Sequence, residues 1–341
     1  MKKKICICGG GNLGHVCAGH MAATEDFEVS LLTRRPERWQ NTLTIGRPAG
    51  WEPLVGRLAR ISDNPQKVVS DVDIVLLCLP GYAIRQTLMG IREHLSDKAS
   101  VGSVVCNTGF FFQALELLSE NVPLFGLQRV PFISRVETYG HSARLLGYKE
   151  SLAMAVEHAT DKEPLRQMAE RMFRTPVHLL ANHYEASLSN SNPLLHPSRL
   201  YDLWHDWRDG IVYPRVPLFY EEWTDNAARL YIDMDNELQA LLARLPVRKG
   251  AIPAVLAYYQ STDAALLAAK LRSIEAFKGI LSPMKAVDGG FIPDWDSRYF
   301  TEDFPYGLAF IRKTAATHGI PTPTMDRIFA WWHRHADCVA R

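Results

Sequence analysis

The sequence predicts an α/β protein, a doubly wound parallel sheet followed by an all-α C-terminal domain, and three observations carry that prediction. Short apolar runs alternate with helical periodicities through the first half. A glycine cluster stands between the first run and the first helix. From His183 onward strand signals almost vanish and long helical periods take over.

Ile5-Cys6-Ile7-Cys8 is a continuous apolar run of the kind buried on both faces of a parallel sheet. Leu13, Val16, Cys17, Gly19 and Ala22 then recur at helical spacing, and Phe27 to Leu32 reads as the second strand. The alternation continues with strand Asp73–Leu79, helix Ala83–Leu95, strand Ser103–Cys106, helix Phe111–Ser119 and strand Pro123–Leu127. Repeated β-α-β units imply right-handed crossovers and a parallel sheet. Runs at Arg144–Gly147 and Ser151–Val156, a helix Asp161–Phe173 and a strand Val177–Leu180 extend this layer, so the first domain is placed at 1–182 and the helical one at 183–341. Helices are expected over Leu218–Leu245, Ala264–Ile280, Tyr306–His318 and Thr324–His335.

At about 150 residues per domain, 341 residues make roughly two domains. Lysine plus arginine (38) nearly balances aspartate plus glutamate (37), so no global field draws in nucleic acid. Cys6, Cys8, Cys17, Cys78, Cys106 and Cys338 are too sparse for a secreted disulfide framework, and the Cys6/Cys8 pair has no second pair to complete a zinc site. No metal is expected. Met1 to Lys4 imitates a signal-peptide start, but its apolar stretch ends at Cys8, and no segment reaches the ~18 apolar residues of a membrane span. The expectation is a cytoplasmic protein with reduced thiols.

Gly9-Gly10-Gly11-Asn12-Leu13-Gly14 fits G-x-G-x-x-G after a strand and at the start of a helix, the context of a Rossmann-type dinucleotide site. Gly9 permits the tight turn, Gly11 lets the backbone approach a pyrophosphate, and Gly14 lets helix and strand pack. After the second strand an acidic residue would repel a 2′-phosphate. This chain has Thr33-Arg34-Arg35 instead, which favours NADP over NAD. Pro80, after the third main strand, is assigned to the same cofactor site. The alternative is that Arg34 and Arg35 form a solvated loop face.

The substrate is expected between the domains. The richest segment for its chemistry runs from Asn190 to Trp204. His196 can give and take a proton near neutrality, or can make only a structural hydrogen bond. Asn192 would share its face if the first turn is helical, although Pro197 argues against a continuous helix. Asp303 either caps a helix or faces an imidazole. Arg129 closes the predicted fifth strand, where parallel strands meet ligands; Arg199 and Arg298 are further candidates for carboxylates. Trp204, Trp207 and Trp223 either line a substrate pocket, with Trp204 assigned to it, or anchor the core.

The chain resembles the opine dehydrogenase family of the octopine and nopaline dehydrogenase type. The resemblance rests on the glycine motif, Asn192-Pro193-Leu194-Leu195-His196-Pro197 with Tyr201 and Trp204 after it, the block Arg298 to Leu308, and Gly319 to Asp326. It implies NAD(P)H-dependent reductive condensation of a 2-oxo acid with the amino group of an amino acid. It further implies His196 and Asp303 as a proton-relay dyad and Asn192 as a substrate holder. Two readings compete. Ketopantoate reductase and glycerol-3-phosphate dehydrogenase types use a lysine acid, but no lysine lies between Lys162 and Lys249. A catalytically silent NADP(H)-binding sensor would share the fold. A homodimer is open on composition.

Overall fold

The structure, a computed structural model, describes residues 2–339, with side chains to His335. Met1 and the Cys338 thiol, both invoked above, lie outside the described residues. The chain divides into two compact units, Met1–Ser189 and Asn190–Arg341.

The first unit contains β1 (Lys3–Cys8), α1 (Asn12–Ala22), β2 (Phe27–Leu32), β3 (Thr42–Gly46), β4 (Leu54–Arg57), β5 (Arg60–Ser62), α2 (Pro65–Val69), β6 (Ile74–Leu77), α3 (Gly81–Ile91), β7 (Ser100–Val104) and α4 (Phe110–Leu117). It continues with β8 (Leu124–Leu127), β9 (Phe132–Thr138), β10 (Ser142–Tyr148), β11 (Leu152–Glu157), α5 (Glu163–Phe173), β12 (Val177–Leu179) and α6 (His183–Ser187). Eight strands form the main sheet in the order β12-β11-β8-β7-β6-β1-β2-β5. Residues Ile5 to Cys8 and all four of β6 are buried, as expected of strands covered on both faces. The order reverses at β1, with β2 on one side and β6 on the other, and such a switch point is where open α/β sheets bind ligands.

Two features depart from the sequence reading. β11 pairs antiparallel with β8, so the parallel layer ends there and β11 with β12 forms a reversed edge. The run at Arg144–Gly147 is not in this layer: β10 belongs to a second sheet, β4-β3-β10-β9, packed on α1. Its strands alternate buried and exposed residues, as in β10, where Ala143 and Leu145 face α1 while Arg144 and Leu146 face solvent. Between this sheet and the helix lies His20, 1% exposed, with neither ring nitrogen hydrogen-bonded among the described residues. Burial first, and then Arg174 and Arg47, pull its pKa down to about 4.

The expected boundary at 182/183 falls just before α6. That helix is capped by the Asn182 side chain and packs on β11, β8 and α4, which places it in the first unit.

The second unit contains α7 (Asn192–Trp204), α8 (Asp225–Leu242), α9 (Val255–Tyr258), α10 (Ala264–Ser273), β13 (Met284–Val287), β14 (Gly290–Pro293), α11 (Arg298–Thr301), α12 (Ala309–Thr317) and α13 (Pro323–Val339). The expected helix Ala264–Ile280 ends at Ser273, where Ile274 turns extended, and the unit adds the β13–β14 hairpin. α8 begins later than periodicity suggested because the Thr224 hydroxyl caps it, accepting from Ala227 N at 3.0 Å. The preceding loop is instead pinned by Phe219 N–H to the Ile280 carbonyl at 2.7 Å and by Ser282 N–H to the Pro217 carbonyl at 2.9 Å. Trp204, Trp223, Trp331, Phe300 and Phe304 are fully buried here.

Candidate active site

In the first unit, a cleft of about 750 Å³ opens at the switch point, lined by the Gly9–Gly11 turn, Thr33, Arg34, Arg35 and Pro80 among others. Gly9 has φ +122°, a conformation that L side chains rarely adopt, and a Cβ at Gly14 would stand 2.1 Å from the Gly9 carbonyl oxygen. The turn is therefore closed by these two residues. A Cβ at Gly11 would meet nothing within 4 Å, so the backbone there is open to the cleft. No side chain caps the N-terminus of α1, and its first turn holds no acidic residue. The unpaired N–H groups and the positive end of the helix dipole suit a pyrophosphate.

Arg34 and Arg35 are exposed and make no ion pair among the described residues, while Thr33 is buried. Arg38, which the sequence reading passed over, lines the same cleft, as does Asp63 one residue past β5. Two motif residues face elsewhere. Asn12 Oδ1 accepts from Val136 N at 2.7 Å and so ties α1 to the second sheet, and Leu13 packs against the apolar core. Pro80 stands at the N-cap of α3. These residues fit a nicotinamide dinucleotide by shape, open backbone and charge.

In the second unit, α7 runs unbroken from Asn192 through Pro197 to Trp204, against the expectation of a break. Proline is tolerated because only the bond from its missing N–H to the carbonyl of Pro193 is lost, near the start of the helix. Asn192 and His196 therefore lie one turn apart on one face, Asn192 exposed and His196 8% exposed. His196 Nδ1 lies 2.7 Å from Asp303 Oδ2, and Nε2 lies 3.0 Å from the Tyr220 hydroxyl. Asp303 precedes a π-helical turn, Phe304–Leu308, whose Leu308 N–H reaches back to the Asp303 carbonyl at 2.8 Å. That turn seats Gly307 against Pro193, where a Cβ would come within 2.4 Å of the proline ring. Asp303 thus does not cap a helix with its side chain; it faces the imidazole.

A carboxylate can only accept, so Nδ1 carries the proton. Nε2 of the neutral ring then accepts from the Tyr220 O–H. Burial, followed by the neighbouring Tyr299, Tyr259 and Asp303, pushes the Tyr220 hydroxyl well above its usual range and keeps it a donor. The Tyr299 ring lies 4.5 Å from the imidazole, and Phe277 stacks on Tyr220 at 4.1 Å. Neither Tyr220 nor Tyr299 was identified from the sequence. Tyr299 stood inside the Arg298 to Leu308 block, but nothing in the spacing of Tyr220 relates it to His196.

Three sequence candidates take other roles. Trp204 is 1% exposed, and its carbonyl accepts from Trp331 Nε1 at 3.2 Å; the indole is core and offers no face to a ligand. Trp223 is likewise buried. Arg199, 1% exposed, donates to Asp202 at 3.0 Å and to the Phe219 carbonyl at 3.1 Å, so it holds the loop that carries Tyr220 rather than a substrate. Arg298 is exposed on α11. Arg129, in the first unit, is exposed and reaches the Ser189 carbonyl at 3.5 Å.

A dinucleotide cleft on a parallel sheet, with a carboxylate–imidazole–phenol chain on a helical unit, defines the class: an NAD(P)-dependent oxidoreductase. The family profile "NAD/NADP octopine/nopaline dehydrogenase, alpha-helical domain" matches residues 179–335, and "NADP oxidoreductase coenzyme F420-dependent" matches residues 4–106. Octopine dehydrogenase of Pecten maximus is 29% identical over 97% of this chain and 90% of its own. Tauropine dehydrogenase of Arabella iricolor is 28% identical over 96% and 90%. A solved structure of octopine dehydrogenase with NADH and L-arginine superposes with a TM-score of 0.87 at 25% identity, covering 98% of this chain and 90% of that one. The chain is thus similar to opine dehydrogenases along nearly its whole length, and its helical unit carries the octopine/nopaline dehydrogenase domain. Among the described residues no helix is long and apolar enough to cross a membrane, and no cluster of three metal-ligating side chains occurs.

Proposed function

We propose that His196, held by Asp303 and Tyr220, moves the protons of this chain's reaction, and that the cofactor is NADPH in preference to NADH. The activity is that of an NAD(P)-dependent oxidoreductase acting on a CH–NH group, the reductive condensation of a 2-oxo acid with the amino group of an amino acid. The amine attacks the carbonyl carbon, and the resulting carbinolamine loses water to give an imine. The reduced nicotinamide, when bound, supplies the hydride to the imine carbon. The substrate ammonium displaces the Tyr220 hydroxyl from the Nε2 lone pair and gives it the proton that frees the amine to attack, a proton shifts from nitrogen to oxygen in the carbinolamine, and the imidazolium returns its proton to that hydroxyl, which leaves as water. Asp303 stabilises the imidazolium formed in between, the service a carboxylate gives a catalytic histidine elsewhere.

Asn192, on the same helix face, is the amide that holds the substrate carboxylate or carbonyl. Arg298, exposed on the same unit, is the cation for a substrate carboxylate. The NADPH preference is supported by Arg34 and Arg35, solvent-facing in the cleft where a ribose-binding carboxylate would repel a 2′-phosphate. The five cysteines whose side chains are described, all free and buried, support a reduced, cytoplasmic setting.

The observation that carries the proton assignment is the 2.7 Å contact of a carboxylate with one nitrogen of an imidazole whose other nitrogen is a lone-pair acceptor. The test follows NADPH absorbance with a panel of 2-oxo acids, each with and without amino acids, in the wild type and in His196→Ala. Oxidation that needs both partners and is lost in His196→Ala is expected. Oxidation with a 2-oxo acid alone would identify a simple keto reductase, and binding without any oxidation would identify a sensor.

A further inference from the structure

The second sheet is joined to the glycine turn by contacts that the cofactor reading leaves without a purpose. The β9–β10 turn brings Tyr139 and Gly140 back to the start of α1. There His15 Nδ1 lies 3.0 Å from the Gly11 carbonyl and His15 Nε2 lies 2.8 Å from Gly140 N. The carbonyl can only accept and the amide can only donate. The ring is therefore a single neutral tautomer, with Nδ1–H donating to Gly11 and Nε2 accepting from Gly140. Burial holds the His15 pKa below its ordinary value, which favours that form. His15 also stacks on Trp39 at 4.0 Å and meets the edge of Tyr139 at 4.9 Å. The Arg38 guanidinium sits 4.5 Å over the Tyr139 ring.

The Tyr139 ring is thus held by both His15 and Arg38, and its hydroxyl reaches the glycine turn: a Cβ built on Gly10 would stand 2.6 Å from the hydroxyl oxygen. Tyr139 lines the cleft, and its O–H has no hydrogen-bond partner among the described residues. A phenol anchored through its ring, with a free donor at the edge of a phosphate-binding turn, is prepared for an acceptor supplied from outside the protein.

We infer that Tyr139 is a cofactor-binding residue, donating its hydroxyl to the pyrophosphate of the dinucleotide, and that His15 and Arg38 are the positioning residues that hold it over the turn. The inference rests on reading the cleft as a nicotinamide dinucleotide site. The donor faces the diphosphate, which NADPH and NADH share, so Tyr139 adds affinity for both and does not choose between them.

The experiment titrates the full chain with NADPH and, separately, NADH by fluorescence, in the wild type and in Tyr139→Phe. Because the hydroxyl bonds to nothing among the described residues, the phenylalanine variant keeps ring, stacking and fold, and its melting temperature should match the wild type. A hydrogen bond to a charged phosphate lost without replacement weakens binding by about tenfold or more, and the same factor is expected for both cofactors. Unchanged affinity overturns the inference, and a loss confined to one cofactor overturns the pyrophosphate assignment. If the wild type binds neither nucleotide, the cofactor reading itself fails, a result distinct from a wild type that binds and a variant that binds equally well. As a second measurement, Gly10→Ala should cost less affinity in the Tyr139→Phe background than in the wild type, since the clash is with the hydroxyl oxygen. Equal cost in both backgrounds counts against the assignment.

Discussion

Asp303→Asn removes a charge and leaves nearly the same shape, so it isolates what the carboxylate contributes to His196. The two side chains are 10% and 15% exposed and in contact at 2.7 Å. Such a setting is neither bulk water nor dry interior. At an effective dielectric of about 20, unit charges about 4 Å apart attract by about 4 kcal/mol. If that attraction is present only when the imidazole is protonated, removing it raises the barrier by a similar amount, or about 10³ in rate. Asparagine can also present its amide N–H to Nδ1 and favour the wrong tautomer, which acts in the same direction. The assay is steady-state NADPH oxidation with both substrates present. We expect kcat/KM to fall by about 10³ while the NADPH Kd and the melting temperature stay near wild type. Because the pair acts as a unit, the double variant His196→Ala/Asp303→Asn should be no slower than His196→Ala alone. Activity of Asp303→Asn within about threefold of wild type, or a double variant slowed by the product of the two single effects, would refute the relay.

Three further outcomes are expected. Arg34→Glu replaces a charge-assisted donor with a carboxylate, so NADPH affinity should drop by about 10- to 100-fold while NADH affinity holds or improves; a wild type that prefers NADH, unmoved by the substitution, would disprove the NADPH assignment. His20 is neutral in the fold until about pH 4, whereas in the unfolded chain it takes a proton near 6.5. The unfolded state therefore binds more protons between those values, and stability is full above pH 6.5 and lost as pH falls toward 4, by up to about 3 kcal/mol. Urea unfolding across that range should be flatter in His20→Leu, and an unchanged acid limb would remove His20 as its source. Trp204→Ala should lose about 3 to 5 kcal/mol of stability with NADPH affinity intact, as for any large core truncation. A stable variant with a raised substrate KM would return Trp204 to the pocket.

The glycine motif, the flanking strand and helix, and the change to helices near residue 180 were readable in sequence because each is a local pattern. A tight turn needs Gly9 at its positive φ, a buried strand needs an unbroken apolar run, and a helix shows its own period. His196 and Asp303 were readable for a different reason: their blocks match a family pattern, and that pattern brought together residues 107 positions apart. Local periodicity left both roles open. Tertiary structure decided the rest. β10 carries the same alternation whether it joins the main sheet or a second one, and only packing against α1 settles its place. A buried tryptophan and a pocket tryptophan look alike in sequence, so Trp204 became core only when Trp331 and Phe300 were seen around it. Arg199 was a plausible anion site until burial beside Asp202 assigned its donors inside the fold. Tyr220 reaches His196, and Tyr139 the glycine turn, through loops whose position is fixed by distant backbone pairings, Phe219 with Ile280 and His15 with Gly140. Sequence pattern records which face of an element is apolar. Which side chains from separate elements meet at hydrogen-bonding distance is decided by how those faces pack.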